Sequence, residues 1–389
     1  MFAKFNYLSI RIKSLSLVLF LVGIFVLPGY ARSISLESSD TPITNYVVAL
    51  DGSGDYSSIQ SAIDAAVSKT GKTTIWIKNG SYYENLVLHD QINLVGASGL
   101  GDLGDVEITG VHTPPLSGHI ILRNIRWNGD HYILYSIKPG TAHITFMDAL
   151  LNVRNGYSCY LPYWDGVNGG TLEFDDINPG LSDQSSDGAV YNPYGGAQVF
   201  LYNAGLGMGK SNTMVVSGRM VMLAASISCP IQFNSGSVLD CNSSIIEEGI
   251  KFEGNSTAEI SNSKISCFST PVIEMNSTAD VRLSACVLEG LGKPVIDGSG
   301  QGSILVSGCT FPLEAEISAT VNQHNVGIVK AGSLEISSEK IQILGGDGPP
   351  TVRASKGSLY LRSDGSSSNS RVYINIDNGY TWTPLVTEN

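Results

Sequence analysis

Hydrophobic and polar residues alternate in short stretches along the second half of the chain, and similar stretches recur at regular intervals. The recurrence is clearest in residues 237–311, where Cys286 and Cys309 lie 23 residues apart, as do Val272 and Val295. A period of this size, with alternating strands and Gly, Asn or Ser at the corners, is typical of a β-solenoid. The sequence therefore predicts an all-β fold, a right-handed, single-stranded parallel β-helix whose inward residues stack from coil to coil.

The middle of the chain continues the pattern, but with longer intervals. Strand-like stretches at residues 144–148, 172–177 and 199–203 are separated by the segments 150–172 and 177–199. We expect these segments to carry loops that project from one side of the solenoid, where such scaffolds usually bind ligands.

An amphipathic helix is predicted after the first strand. Ser57 and Gln60 suggest a capping box, and Ile59, Ile63 and Val67 fall on one helical face. We expect this helix to cover the open hydrophobic end of the first coil.

The N-terminal part of the chain resembles a known family. The similarity rests on the turn at 51–56, the helix that follows, the strand at 75–78 and the corner Gly80-x-Tyr82-x-Glu84-Asn85. Residues 46–96 thus resemble the first coils of pectin methylesterases, which implies the pectin-lyase-like β-helix superfamily. Near the C-terminus, the run Gly357-Ser-Leu-Tyr-Leu-Arg-x-Asp-Gly365 is followed by Trp382. With this run, residues 348–389 resemble a short module of phage tail and virion-surface proteins, and two strands around a Ser-rich loop are expected there, as a small β-hairpin.

The first 31 residues have the layout of a secretory signal peptide. Lys4, Arg11 and Lys13 precede an apolar run, and a small-x-small site ends at Ala31. We expect a secreted or cell-surface protein with no stable membrane span after cleavage, and a virion tail is the alternative. The predicted organisation is a signal peptide (1–31), a linker (32–45), the β-helix (46–312), a transition segment (313–347) and a C-terminal β module (348–389).

The net charge and the cysteine content limit the partners, disulfides and cofactors that can be expected. The net charge of −12 argues against nucleic acid. Six cysteines would permit disulfides in an oxidising compartment, but Cys286 and Cys309 hold equivalent positions and favour a buried ladder of thiols. No Cys or His spacing is typical of a metal site, so neither a metal nor another cofactor is expected.

The catalytic motifs that the family resemblance implies are absent. Pectin methylesterases use two glutamines, a pair of aspartates and an arginine, which hold and attack an ester. The regions where these motifs should fall, near 131–135, 155–159 and 182–190, contain none of them. The sequence therefore predicts no pectinesterase activity.

Two acidic residues of the middle coils are candidates for catalysis. Alignment of 144–148 with 172–176 puts Asp148 beside Asp176 on the neighbouring coil. The backbones of the two residues would then be one strand spacing, about 4.8 Å, apart. Carboxylates this close raise the pKa of one of them, which can produce a general acid. The alternative is a solvated acidic face.

The two long segments contribute candidate binding residues. Aromatic faces can pack on sugar rings, and carboxylate or amide groups can bond sugar hydroxyls. The candidates are Tyr157, Tyr160, Tyr163, Trp164, Asp165, Asp183, Gln184, Asp187, Tyr191 and Tyr194.

Three hypotheses follow. The first is an exported or tail-spike-like protein, assembled as a homotrimer, that recognises a polysaccharide or cell-surface glycan through its loops. The second is a polysaccharide hydrolase or lyase that uses paired aspartates. The third is a structural surface repeat without a ligand.

Overall fold

The computed structural model describes residues 44–385 with internal gaps. The gaps comprise residues 98–104, 154–158, 165–169, 178–189, 192–196, 208–212, 269–270, 291–293, 301, 313–314, 319–321, 331–332, 337–339 and 368–369. The predicted signal peptide and nearly all of the predicted linker therefore lie outside the described residues. Within the described ranges, no helix has the length and apolar character needed to cross a bilayer.

The described residues form mostly short strands. The first group comprises β1 (Thr44–Val48), α1 (Ile59–Val67), β2 (Thr73–Ile77), β3 (Gly80–Tyr83), β4 (Ile92–Gly96), β5 (Val106–Thr109), β6 (His119–Arg123), β7 (Arg126–Gly129) and β8 (Leu134–Tyr135). The middle group comprises β9 (His143–Met147), β10 (Leu150–Val153), β11 (Cys159–Tyr160), β12 (Thr171–Asp175), β13 (Val190–Tyr191), β14 (Gln198–Tyr202), β15 (Gly205–Gly207) and β16 (Met214–Val216).

The C-terminal coils follow without a change in architecture. They comprise β17 (Arg219–Leu223), β18 (Ser226–Ser228), β19 (Ile231–Phe233), β20 (Val238–Asn242), β21 (Ile245–Ile246), β22 (Ile250–Phe252), β23 (Thr257–Ser261), β24 (Lys264–Cys267), β25 (Ile273–Ser277), β26 (Asp280–Ser284), β27 (Val287–Gly290), β28 (Ile296–Gly300) and β29 (Ser303–Thr310). The last strands are β30 (Asn322–Lys330), β31 (Ser333–Ile336), β32 (Ile341–Gly346), β33 (Leu359–Arg362), β34 (Val372–Asn375) and β35 (Trp382–Pro384).

These strands wind into a solenoid with three faces. Face 1 is the parallel series β1, β2, β4, β6, β9, β12, β14, β17, β20, β23, β26 and β29. Face 2 contains β3, β5, β7 and β10, and further on β15, β18, β21, β24 and β27. Face 3 contains β8, β11 and β13, then β16, β19, β22, β25 and β28. The predicted parallel β-solenoid is thus confirmed.

The interior consists of rows of stacked apolar side chains. On face 1, Cys241 is in register with Ile260, Ile260 with Leu283, and Leu283 with Val306. All four are buried, and the same row continues through the preceding coils back to Phe146, which is also buried. Because each coil shields its neighbours, the apolar area is removed from water along the whole stack.

The corners between faces 1 and 2 are turned by residues with positive φ. Their φ values lie between +47° and +61°, and the residues are Asn124, Asp148, Asp176, Asn203, Ala224, Ser243, Asn262, Ala285 and Gly308. The left-handed conformation is accessible to glycine and tolerated by Asn and Asp, which explains much of this column.

In the C-terminal coils the residue after each corner points inward and bonds to the next coil. The Ala225 N–H donates to Ser244 Oγ at 3.1 Å, and the Ser244 N–H donates to Ser263 Oγ at 3.1 Å. The Cys286 N–H likewise donates to Cys309 Sγ at 3.3 Å. Each of these side chains satisfies a buried backbone donor. All six cysteines of the chain are buried thiols.

Helix α1 is held by the corner that follows β3. The Ile59 and Gln60 N–H groups and Ser58 Oγ each donate to the Glu84 carboxylate at 2.9 Å. Ser58, and not the predicted Ser57, is the N-cap residue. The helix buries Ile59 and three other apolar residues in the common core.

The last strands leave the regular coil. Strand β30 pairs parallel with β29, then antiparallel with β31. Three strands, β33 to β35, form the C-terminal segment where two were predicted, and they pair antiparallel with each other. The Trp382 indole N–H donates to the Val352 carbonyl at 2.9 Å, and its ring meets Tyr360 edge-on.

Candidate functional site

Asp148 and Asp176 occupy equivalent corners of adjacent coils, as their alignment predicted. Met147 is in register with Asp175, and the Asp148 N–H donates to the Asp175 carbonyl at 3.0 Å. Both aspartates have positive φ, so their residue type also suits the backbone at this corner.

The side chains of the two aspartates have separate partners. Arg123 Nε donates to the Asp148 carboxylate at 2.9 Å, and the Asn203 amide donates to the Asp176 carboxylate. Asp176 also lines an open groove of about 570 Å³ that runs past Asn203 and Ala224 to Ile245. Catalysis by this pair stays a prediction.

Tyrosine rings cluster on face 3, next to the first long segment. Tyr135 and Tyr160 are in register on β8 and β11, and their rings stack with centroids 5.4 Å apart. Tyr132 contacts both, with centroids 5.1 and 5.5 Å away. We call Tyr132, Tyr135 and Tyr160 the tyrosine cluster. The Tyr135 side chain is 38% exposed, so the cluster reaches the solvent.

The other predicted binding residues are placed in different ways. Tyr163 is 55% exposed, whereas Trp164 is 1% exposed and packs in the core beside Gly140, so its ring is not at the surface. The Tyr191 backbone pairs with that of Tyr160, which extends the register of the cluster to a third coil. The remaining candidates, Tyr157, Asp165, Asp183, Gln184, Asp187 and Tyr194, lie outside the described residues.

A second group of polar side chains lies on the outside of face 1. The His119 and His143 rings stack at 4.5 Å, and His143 Nε2 lies 2.9 Å from Glu173 Oε2. Thr145 Oγ1 lies 3.2 Å from His119 Nε2 and 3.4 Å from His143 Nε2. We call these four residues the histidine cluster. The sequence analysis did not single it out, although alignment of His119 with His143 in successive coils would have brought the two rings together.

The histidine cluster combines buried and accessible groups. The Glu173 side chain is 9% exposed and the His143 side chain 36% exposed. Burial, and then the charge of His143, lower the pKa of His119. His119 is therefore harder to protonate than a solvent-exposed imidazole. Among the residues that the structure describes, no group of three or more His, Cys, Asp or Glu side chains is arranged to hold a metal ion.

The architecture defines a class: a parallel β-solenoid with aromatic and titratable groups on the outside of its middle coils. Comparison with known proteins adds detail. No family model matches the chain. A stretch of 77 residues is 44% identical to "Probable pectinesterase/pectinesterase inhibitor 17" of Arabidopsis thaliana and covers 20% of this chain and 14% of that protein.

Solved structures align with this chain only at low similarity. Escherichia coli YbhC aligns with 74% of this chain and 86% of its own, at 10% identity and a TM-score of 0.27. Pectin methylesterase from carrot aligns with 75% of this chain and 84% of its own, at 14% identity and a TM-score of 0.23. The predicted resemblance to pectin methylesterases is confirmed by the 77-residue sequence match, and structural similarity at this level supports no argument about a site.

Proposed function

We propose that this protein is an exported β-solenoid that recognises a polysaccharide on the outside of its middle coils. The observation that supports the proposal is the tyrosine cluster. Tyr135 and Tyr160 project from adjacent coils, and Tyr163 is exposed three residues beyond Tyr160. Rings placed one coil apart offer a repeated apolar contact, which suits a polymer whose units also repeat.

A glycan array with matched tyrosine variants tests this proposal. We expect the wild-type protein to bind at least one polysaccharide, and Tyr135→Ala with Tyr160→Ala to weaken the affinity at least about tenfold. Tyr83→Ala is the control, because Tyr83 is 78% exposed on face 2 of an earlier coil. A binding constant unchanged by the double substitution, or an array without any hit, would contradict the proposal.

Export and assembly are part of the same proposal. The signal-peptide layout of residues 1–31 supports a secreted or cell-surface location, and the C-terminal resemblance supports a virion-type homotrimer. N-terminal sequencing of the exported protein should begin at residue 32. Sedimentation equilibrium should give three times the mass of one chain, and a monomer would remove the trimer from the proposal.

A further inference from the structure

The histidine cluster is not explained by stability alone. Glu173 projects from β12 into a row whose neighbours are Thr145 on one coil and Phe200 on the next. Removing a carboxylate from water costs several kcal/mol, and the Glu173 side chain is only 9% exposed. A carboxylate this well buried beside an accessible imidazole suggests a chemical role.

The geometry of the pair matches that of a carboxylate-backed base. When His143 Nε2–H donates to Glu173 Oε2 at 2.9 Å, the lone pair of Nδ1 remains available as a proton acceptor. Glu173 orients the ring and stabilises the imidazolium that forms when His143 takes up a proton. The His143 side chain is accessible to a substrate, whereas Glu173 is shielded from solvent. A carboxylate-backed base requires this arrangement, because the imidazole must reach the reacting group and the carboxylate only the imidazole.

A stacked pair of aromatic rings, against which a sugar ring could pack, lies on the adjacent strand. Phe200 and Tyr202 of β14 project on the same side as Glu173, and their rings are nearly parallel, with centroids 6.0 Å apart. Phe200 is in register with Glu173 on the neighbouring strand. A sugar packed on these rings would lie one strand, about 4.8 Å, from Glu173 and two strands, about 9.6 Å, from His143, so its substituents would extend along the solenoid towards the histidine cluster.

The charges on this face favour an uncharged glycan. Arg123 is paired with Asp148 at 2.9 Å, and Arg219 with Asp240 in a close ion pair. The whole chain has a net charge of −12. A polyuronate would therefore meet repulsion, whereas a neutral sugar that bears an acyl ester would not.

We propose that His143 and Glu173 form the acid–base pair of an esterase that removes O-acyl groups from a neutral glycan held on Phe200 and Tyr202. This inference rests on the proposed glycan recognition for its substrate class. His143 is the catalytic residue, and Glu173 is a positioning residue that acts through it.

The reaction needs only water. His143 Nδ1 takes a proton from a water molecule, whose oxygen forms a bond to the acyl carbon. The tetrahedral intermediate then breaks the bond between the acyl carbon and the sugar oxygen, and the imidazolium returns the proton to that oxygen. The products are a free sugar hydroxyl and a carboxylic acid, which ionises in solution.

Release of acetate from acetylated xylan by the full chain tests the inference, with 4-nitrophenyl acetate as a second substrate. We expect His143→Ala to lower kcat at least about 100-fold, because general acid–base catalysis typically contributes that much. Glu173→Gln should lower kcat and move the acid limb of the pH–rate profile to lower pH, since the imidazolium loses its carboxylate partner. Arg282→Ala, on the same face of a distant coil, is the control and should leave the rate unchanged.

The outcomes separate this inference from the proposed function. Acetate release that is absent in the wild-type protein, or unaffected by His143→Ala, overturns the esterase while array binding can still stand. Thermal unfolding of each variant shows whether the fold survives, and His143→Asn provides a smaller change if His143→Ala unfolds. Release of 4-nitrophenol that depends on His143, without release of acetate from any glycan, would overturn the substrate class alone.

Discussion

The middle coils, from β6 to β14, and the C-terminal coils, from β17 to β29, share one interior but differ at their corners and outer surfaces. Behind the corners of the middle coils lie apolar residues such as Ile177 and Ala204, whereas Ser244, Ser263, Cys286 and Cys309 hold these positions in the C-terminal coils. The C-terminal coils thus use side chains to tie one coil to the next.

On the outer surfaces, by contrast, the middle coils carry the more extensive side-chain interactions. The middle coils display stacked histidines, a buried carboxylate and stacked tyrosines. The C-terminal coils display mostly exposed ion pairs, such as Lys264 with Glu289, which contribute little to stability. The difference teaches that one repeat can serve as scaffold or as site, depending on which outward residues each coil presents.

The largest expected effect comes from breaking the shared interior. Leu283→Ala removes a buried side chain between Ile260 and Val306 and should lower the free energy of unfolding by about 2–5 kcal/mol. Arg282→Ala, the exposed neighbour on the same strand, should change it by less than about 0.5 kcal/mol. Urea denaturation measures both, and equal effects would contradict the assignment of inward and outward rows.

Lowering the pH should destabilise the coils before β17 more than the coils from β17 to β29, because no histidine lies between residues 144 and 323. Burial lowers the pKa of His112 from 6.5 to about 3, so the unfolded state takes up this proton at higher pH than the folded state. The free energy of unfolding should then fall by up to about 1.4 kcal/mol per pH unit as the pH drops from 6.5 towards about 3.

The variant His112→Leu isolates this contribution. It loses the acceptor for the Leu86 N–H, 3.1 Å away, and should be less stable than wild type at neutral pH. Since its unfolding no longer takes up the proton of His112, the difference from wild type should shrink as the pH is lowered. A difference that stays constant with pH in urea denaturation would contradict the buried neutral imidazole.

Loss of a single hydrogen bond between C-terminal coils should have a smaller effect on stability, and one that depends on the substituted residue. Cys286→Ala removes the thiol that donates to the Ile260 carbonyl of the preceding coil at 3.3 Å and should lower the free energy of unfolding by about 1 kcal/mol. Cys286→Ser keeps a donor and acceptor at this position and should recover part of the loss. Thermal unfolding of the two variants compares them, and a more stable alanine variant would show that the thiol acts only as an apolar group.

The smallest effect concerns corner geometry. Ala224 has φ +51°, a conformation that costs an L-residue about 1–2 kcal/mol, partly offset by the flexibility of glycine in the unfolded chain. Ala224→Gly should therefore stabilise the protein by about 0.5 kcal/mol. Ala225→Gly, at the next, buried position, should destabilise it. Melting temperatures measured side by side reveal whether the two changes have opposite signs.

The sequence predicted what repeats and missed what depends on distant contacts. The inward rows and the alignment of Asp148 with Asp176 followed from the period alone. The cap of α1 did not, because Glu84 lies 26 residues beyond Ser58 and only the corner after β3 brings them together. Trp164 looked like a surface aromatic, but its ring is enclosed by the core near Gly140.

The two aromatic and titratable clusters illustrate the same limit. Tyr160 was predicted from its loop, whereas Tyr135 required the coil register to be known. His143 and Glu173 are 30 residues apart and meet only because β9 and β12 pair in one register. Local pattern defines a strand, but the insertions between coils decide which outward side chains become neighbours.

The most direct test of the central claim is amide hydrogen exchange with and without a polysaccharide that binds. The middle coils are proposed as the functional surface and the C-terminal coils as scaffold. We therefore expect exchange to slow in peptides that contain Tyr135, Tyr160 or Glu173, and to remain unchanged across residues 238–310. Slowing confined to residues 238–310 would contradict this account.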